Sequence, residues 1–187
     1  MSKENVEIVR QPFAVASHSR RRLEERLGLR FPGVRTLVQR LLWRLPLRSR
    51  LRQASLRRAL QLGFEALNRG DFEATFATYH PDVELVTDSR LVGLGLDGVY
   101  RGREERIRFQ QRWVAEWGDF RFAPEELIYL RDDRVFVSGH IVGSGLSSGA
   151  GFGSDWAVLL TISDGQVVRE QFFFDRADAL EAVGLPE

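Results

Sequence analysis

Acid/base chemistry needs a titratable side chain held near an apolar surface, and few residues of this sequence qualify. Asp88 follows an extended stretch, Val83 to Thr87, that opens after His80-Pro81-Asp82. Facing an apolar funnel, its carboxyl would have a raised pKa and serve as a general base; beside Ser89 and Arg90 in solvent it would be an ordinary loop carboxylate. His140 lies in the apolar run Val137 to Val142, which has central-strand character. There it is either an acid/base group in a cavity or, on the opposite face, a surface or dimer-contact histidine. His80 sits next to Pro81 at a corner, where capping or turn hydrogen bonds account for it. The three histidines lack His-x-His or His-Glu-x-x-His spacing and there is no cysteine, so neither a metal centre nor a thiol nucleophile is expected. The glycines of 143–153 do not precede a helix as a phosphate loop would, and no cofactor is expected. Tyr79, Tyr100, Trp113, Trp117, Trp156, Phe172 and Phe174 are the aromatic candidates for a ligand pocket. Side chains of this kind are core residues first, and some serve both purposes.

The elements that must position these residues follow from local signals. Leu56, Leu60, Phe64 and Leu67 line one face of a helix placed at 53–69. Asn68-Arg69-Gly70-Asp71 then closes it, Gly70 by taking the left-handed conformation and Asp71 by capping a second short helix. His80-Pro81 ends that second helix, since the residue before proline is pushed out of the α region. After a loop marked by Gly93, Gly95 and Gly98, a helix over 103–117 carries Ile107, Phe109, Trp113 and Trp117. Beyond Gly118-Asp119 the chain takes on strand character: Phe120 to Phe122, Leu127 to Leu130, Val135 to Val137, Trp156 to Ile162 and Gln166 to Phe174. Arg131 to Arg134 reads as a hairpin turn, and Ser163-Asp164-Gly165 as a type I′ turn. Gly143 to Gly153 reads as a hairpin loop or a bulged crossing. Asp175 caps a last helix, Arg176 to Val183, closed by Gly184. The order predicts an α+β fold in which a curved antiparallel sheet wraps around helices and leaves a concave apolar site for a small molecule.

Ahead of this body stands a segment of different composition. The 187 residues carry a net charge of only +1, yet residues 1–60 hold 15 Lys/Arg against 4 Asp/Glu, and the remainder 12 against 22. Ser17 or Ser19 is placed to cap a short helix bearing Leu23 and Leu27 and stopping at Gly28. Past Phe31-Pro32-Gly33, the residues Val34, Leu37, Val38, Leu41, Leu42 and Leu45 follow helical spacing, with Arg35, Arg40 and Arg44 largely off the stripe; Pro46 ends or bends this basic amphipathic helix. The default expectation is that the leucines pack on the body or on a second subunit. Contact of residues 17–52 with an anionic membrane surface is the alternative, whereas no zipper heptad or zinc-finger spacing points to nucleic acid. No apolar run approaches the length of a membrane span. The mixed-charge start Met1-Ser2-Lys3-Glu4-Asn5 is unlike a secretory signal, so a cytoplasmic protein is expected.

Taken together, five motifs resemble one family. They are Ala66-Leu67-Asn68-Arg69-Gly70-Asp71, Tyr79-His80-Pro81-Asp82-Val83-Glu84, Tyr100-Arg101-Gly102-Arg103-Glu104, Asp164-Gly165-Gln166-Val167-Val168-Arg169, and the ending Asp175 to Leu185. In this order they are similar to the SnoaL-like branch of the nuclear transport factor 2-like superfamily, over about residues 55–186. The resemblance implies a cone of curved sheet and three helices, a small apolar or polyketide- or steroid-like ligand, and a homodimer formed through the sheet. It divides the chain into an arginine-rich helical segment, 1–52, and a cone domain, 53–187. Met1 to Arg10 also resembles the opening of the family's first helix, which the arginine-rich segment then interrupts. Superfamily members include isomerases, cyclases and non-catalytic binding or dimerisation modules, so the fold leaves the function open. In the isomerase-like members one Asp shuttles a proton while a Tyr and a protonated Asp stabilise an enolate. Thr87 stands where the first Asp is expected, with Asp88 one residue on; the tyrosine's position falls near Gly63; Asp155 lies in the region of the second Asp. The resemblance therefore adds Asp155 to Asp88 and His140 as an acid/base candidate without supplying the isomerase machinery.

Overall fold

The computed structural model describes residues 9–13, 20–46, 48–88, 98–115, 117–131, 133–145 and 151–185. Among them are seven strands in one curved, unclosed sheet and six helices. The strands are β1 (Val9–Pro12), β2 (Tyr79–Val86), β3 (Val99–Arg101), β4 (Trp117–Tyr129), β5 (Arg134–Gly145), β6 (Gly151–Ser163) and β7 (Gln166–Phe173). The helices are α1 (Leu23–Arg30), α2 (Pro32–Trp43), α3 (Arg50–Asn68), α4 (Phe72–Thr75), α5 (Arg103–Ala115) and α6 (Arg176–Ala182). The strand order is β1-β4-β5-β6-β7-β2-β3. Every neighbouring pair is antiparallel except β2 with β7, which run parallel.

The concave face of the sheet packs on α3 and α5. Leu85, Leu127, Val137, Trp156 and Leu160 are buried there with Leu67, Phe109 and Trp113 of the helices. On the convex face, Ile128, Phe136 and Leu159 are covered by Ala179 and Leu180 of α6. Successive residues of one strand thus serve opposite cores, as the period of two requires.

Local chemistry explains the joints. Gly70 (φ 75°) ends α3, and Asp71 caps α4 by accepting from the Ala74 N–H at 3.3 Å. Asp164 and Gly165 both have positive φ, 51° and 78°, as a type I′ turn demands. Asp175 accepts from the Ala177 N–H at 2.7 Å at the start of α6. Elsewhere the boundaries differ from expectation. Helix α3 begins at Arg50, capped by Ser49; β2 begins at Tyr79, ahead of Pro81; and α5 ends by Ala115, so that β4 opens at Trp117. Gly28 lies inside α1, which continues to Arg30 and stops at Phe31, the residue before Pro32. Val9 and Arg10 belong to an edge strand paired with Ile128 and Tyr129, not to a helix. Met1 to Ile8 and the caps suggested at Ser17 and Ser19 lie outside the described residues.

The arm reverses one expectation. No residue of α2 is buried. The face carrying Val34, Leu37, Val38 and Leu41 points outward, while Arg35, Gln39 and Trp43 meet the body. Arg35 donates to the Ala77 carbonyl, and the backbone of Gln39 lies so close to Gly165 that a Cβ there would come within 2.8 Å.

Candidate ligand cavity and its polar lining

Between α3, α5 and the concave sheet lies a cavity with about 80 Å³ open to the centres of water-sized molecules. One water needs only roughly 10–15 Å³ on this measure, so there is room for one compact organic molecule. The walls are mainly apolar and rich in aromatic rings. Trp156 packs against Phe64 and Phe122 with ring centroids at 5.3 Å in each case, and Trp113 lies 5.7 Å from Phe122. Phe76 and Tyr79 meet edge to face at 5.1 Å.

Two elements insert polar groups into this wall. In α5, Arg106, Phe109, Gln110 and Trp113 have the i, i+3, i+4, i+7 spacing of one face, and all four are buried. Across the cavity, β7 contributes Glu170 because of a bulge. Ile162 pairs with Val167 but Thr161 pairs with Arg169, which leaves Val168 as an extra residue. Beyond it the alternation is shifted by one, so Val167, Glu170 and Phe172 all face the cavity.

Arg106 and Glu170 form a forked ion pair, Nε to Oε2 at 2.8 Å and Nη2 to Oε1 at 3.0 Å. The third arm of the guanidinium donates to Gln110 Oε1 at 3.0 Å, and the guanidinium carbon lies 4.2 Å from the Phe76 ring centre. Burial works against the Arg106 charge, but the Glu170 carboxylate outweighs it and the guanidinium pKa is raised. Burial first, and then the neighbouring Glu170 charge, push the Tyr79 phenol well above the ordinary tyrosine range. Tyr79 is therefore a neutral hydroxyl, and it hydrogen-bonds the Glu170 carboxylate. Two further donors lack any partner among the described residues: the side-chain nitrogen of Gln110 and the indole N–H of Trp156, both buried. Leaving a buried donor unpaired costs on the order of 1–3 kcal/mol, which an acceptor brought within reach of either group would offset.

The acid/base candidates lie elsewhere. His140 and Asp155 pair across β5 and β6 on the convex face, Nδ1 to Oδ1 at 2.5 Å, with Glu125 at 3.4 Å from Nε2; the imidazole is 54% exposed. Both are one residue out of step with Ile141 and Trp156, which face inward. Asp88 is half-buried in a shallow depression beside Thr87 and Asp178, where it accepts from the Phe174 N–H at 3.2 Å. Thr87, at the expected base position, donates to the Gly98 carbonyl at 3.2 Å. His80 accepts from the Asp82 N–H at 3.1 Å, a turn hydrogen bond. Gly63 lines the cavity and presents no hydroxyl where the isomerase pattern has its tyrosine.

Of the aromatic candidates, Tyr79, Trp113, Trp156 and Phe172 line the cavity. Tyr100 and Phe174 stand behind it, at 5.0 Å from Phe109 and 5.1 Å from Phe172 respectively. The Trp117 side chain lies outside the described residues.

The sequence profile of the SnoaL-like domain matches residues 61–170, more than half the chain and all the elements that build the cavity except the start of α3 and the end of β7. The chain belongs to the SnoaL-like family. Solved structures agree on its nuclear transport factor 2-like cone. TerC, co-crystallised with polyporic acid, is 28% identical, with a TM-score of 0.58 over 66% of this chain and 94% of its own. A nuclear transport factor 2-like protein of unknown function from Burkholderia pseudomallei is 23% identical, with a TM-score of 0.58 over 68% and 95%. A SnoaL-like polyketide cyclase, so described, from Jannaschia is 20% identical, with a TM-score of 0.53 over 72% and 92%. No curated protein matches the chain. Within this SnoaL-like cone, Arg106, Gln110 and Glu170 are the residues that sequence reading passed over. The first two were visible as polar residues on the apolar face of a helix; the third was hidden by the bulge.

Proposed function

We propose that the cone binds one small, flat, largely apolar molecule carrying acceptor oxygens, of the quinone or aromatic polyketide kind. The observation that carries this reading is the pair of buried, partnerless N–H donors, on Gln110 and Trp156, in a mainly apolar, aromatic-rich cavity. Aromatic rings in the wall favour a flat ring system, and the two N–H groups favour carbonyl or phenolic oxygens. Both oxygens of Glu170 already lie in the Arg106 fork. That carboxylate is a counter-charge that holds Arg106 and, through it, Gln110 in place. Binding and orientation are thus better supported than proton abstraction. Co-crystallisation of the related TerC with polyporic acid supports the ligand class.

The test is calorimetric titration of the full chain with polyporic acid and simple hydroxylated quinones, beside the Trp156→Phe variant, with mass spectrometry of the ligand after incubation. Saturable binding at one site is expected, weakened about fivefold to tenfold by Trp156→Phe, since one lost hydrogen bond is worth about 1 kcal/mol. The ligand is expected to be recovered unchanged. Absence of binding to every probe, or equal affinity of the variant, would overturn the reading.

A further inference from the structure

Helix α2 presents its apolar stripe to solvent. Val34, Leu37, Val38 and Leu41, spaced i, i+3, i+4, i+7, are 48–61% exposed. The neighbouring helix α1 also has an exposed face, on which Leu23, Arg26, Leu27 and Arg30 lie by the same spacing. Between residues 20 and 52 the chain carries eleven arginines against two glutamates. Those two acids are spent on the body: Glu24 binds Arg58 at 2.5 Å and Glu25 binds Arg69. Arg20, Arg26, Arg44 and Arg50 are exposed and have no acidic partner among the described residues.

We infer that this arm is a docking surface for an anionic lipid bilayer, with the α1–α2 apolar stripe entering the interface and the surrounding arginines meeting lipid headgroups. An exposed apolar stripe rimmed by cations is the pattern of helices that lie in the membrane plane. A second copy of the chain would bring arginines against arginines, and nucleic acid would leave the leucines in water. No helix among the described residues is long and apolar enough to cross a membrane, so the contact is peripheral. The helix is held in this orientation by its other face, through Arg35 to the Ala77 carbonyl and Arg40 to Asp164 at 3.4 Å. The surface is therefore formed before any lipid is met.

The experiment is sedimentation of the full chain with phosphatidylcholine vesicles, with and without phosphatidylglycerol. The Leu37→Asp/Leu41→Asp and Arg26→Glu/Arg44→Glu variants are compared with the wild type. All four positions are exposed, so both variants should keep the wild-type circular dichroism spectrum. At about 0.1 M salt at least about fivefold more wild-type protein should sediment with the anionic vesicles than with the neutral ones. Either double substitution, or about 1 M salt, should abolish the difference. Wild-type protein that stays in the supernatant with anionic vesicles would overturn the inference, as would binding that survives Leu37→Asp/Leu41→Asp. So would a dimer, seen by light scattering, that this variant dissociates while vesicles are ignored. Retention of duplex DNA by that same variant, without vesicle binding, would point to nucleic acid and equally overturn it.

Discussion

Arg106 has its three guanidinium nitrogens committed to Glu170 and Gln110, and its flat face to Phe76. A charge so enclosed depends on its counter-charge. Glu170→Gln leaves the guanidinium buried and underpaired, and a loss of about 3–5 kcal/mol is expected from urea denaturation. Replacing both partners, Arg106→Met with Glu170→Met, removes the charges together and should recover most of that loss, because desolvation of the ions offsets their attraction. Recovery of stability without recovery of ligand affinity is the expected split, since Gln110 would no longer be aimed by Arg106. Trp156 differs in kind: its N–H satisfies nothing in the fold, so Trp156→Phe should weaken binding, and any stability it loses comes from the space the smaller ring leaves in the core.

The corner between α3 and α4 illustrates how one element end serves two purposes. Asp71 caps α4, and its carboxylate also takes the Arg21 guanidinium, Nε to Oδ2 at 2.5 Å and Nη2 to Oδ1 at 2.8 Å, so it ties the arm to the cone. The hydrogen bonds from Arg21, opposed by burial and aided by the Ala74 N–H, hold the Asp71 carboxyl below its usual pKa. The sign follows from linkage: stability from a depressed carboxylate is present above the unfolded value, about 4, and is lost as pH falls through the lower folded value. Protection of the amides in residues 23–43, relative to their unstructured rates at the same pH, should therefore fall below about pH 4, and Asp71→Asn should lower it likewise at neutral pH. If exchange there is unchanged in Asp71→Asn, Asp71 does not dock the arm. The corner was legible in the sequence because glycine, cap and proline signals act over four or five residues. So were the Asp164-Gly165 turn and the Asp175 cap. The facing of Glu170 was not, because a single extra residue at Val168, set by pairing with β6, inverts every later position of β7. The facing of α2 was also illegible, since periodicity identifies an apolar stripe but not whether it points inward.

At the scale of the whole molecule, a SnoaL-like cone encloses an aromatic cavity, and a basic helical arm lies over its flank. The two are in contact: Gln39, Leu42 and Trp43 of α2 border a small gap shared with Leu60, Thr78 and Val167, which also line the main cavity. The convex face, by contrast, is closed in part by α6 and otherwise carries the exposed His140, Asp155 and Glu125. Fold, cavity and motif order agree, but the buried polar groups of the cavity wall, Arg106, Gln110 and Glu170, are residues the family resemblance did not name. The central claim is that the unpaired Trp156 and Gln110 donors hold the ligand's oxygens. It is tested most directly by the indole N–H resonances of the four tryptophans in a ¹H–¹⁵N spectrum, assigned with Trp156→Phe and followed during titration with polyporic acid. The Trp156 signal should move downfield as its N–H gains an acceptor, together with the Gln110 side-chain amide, while Trp43 stays in place. Saturable binding that leaves the Trp156 indole N–H unmoved would contradict the account.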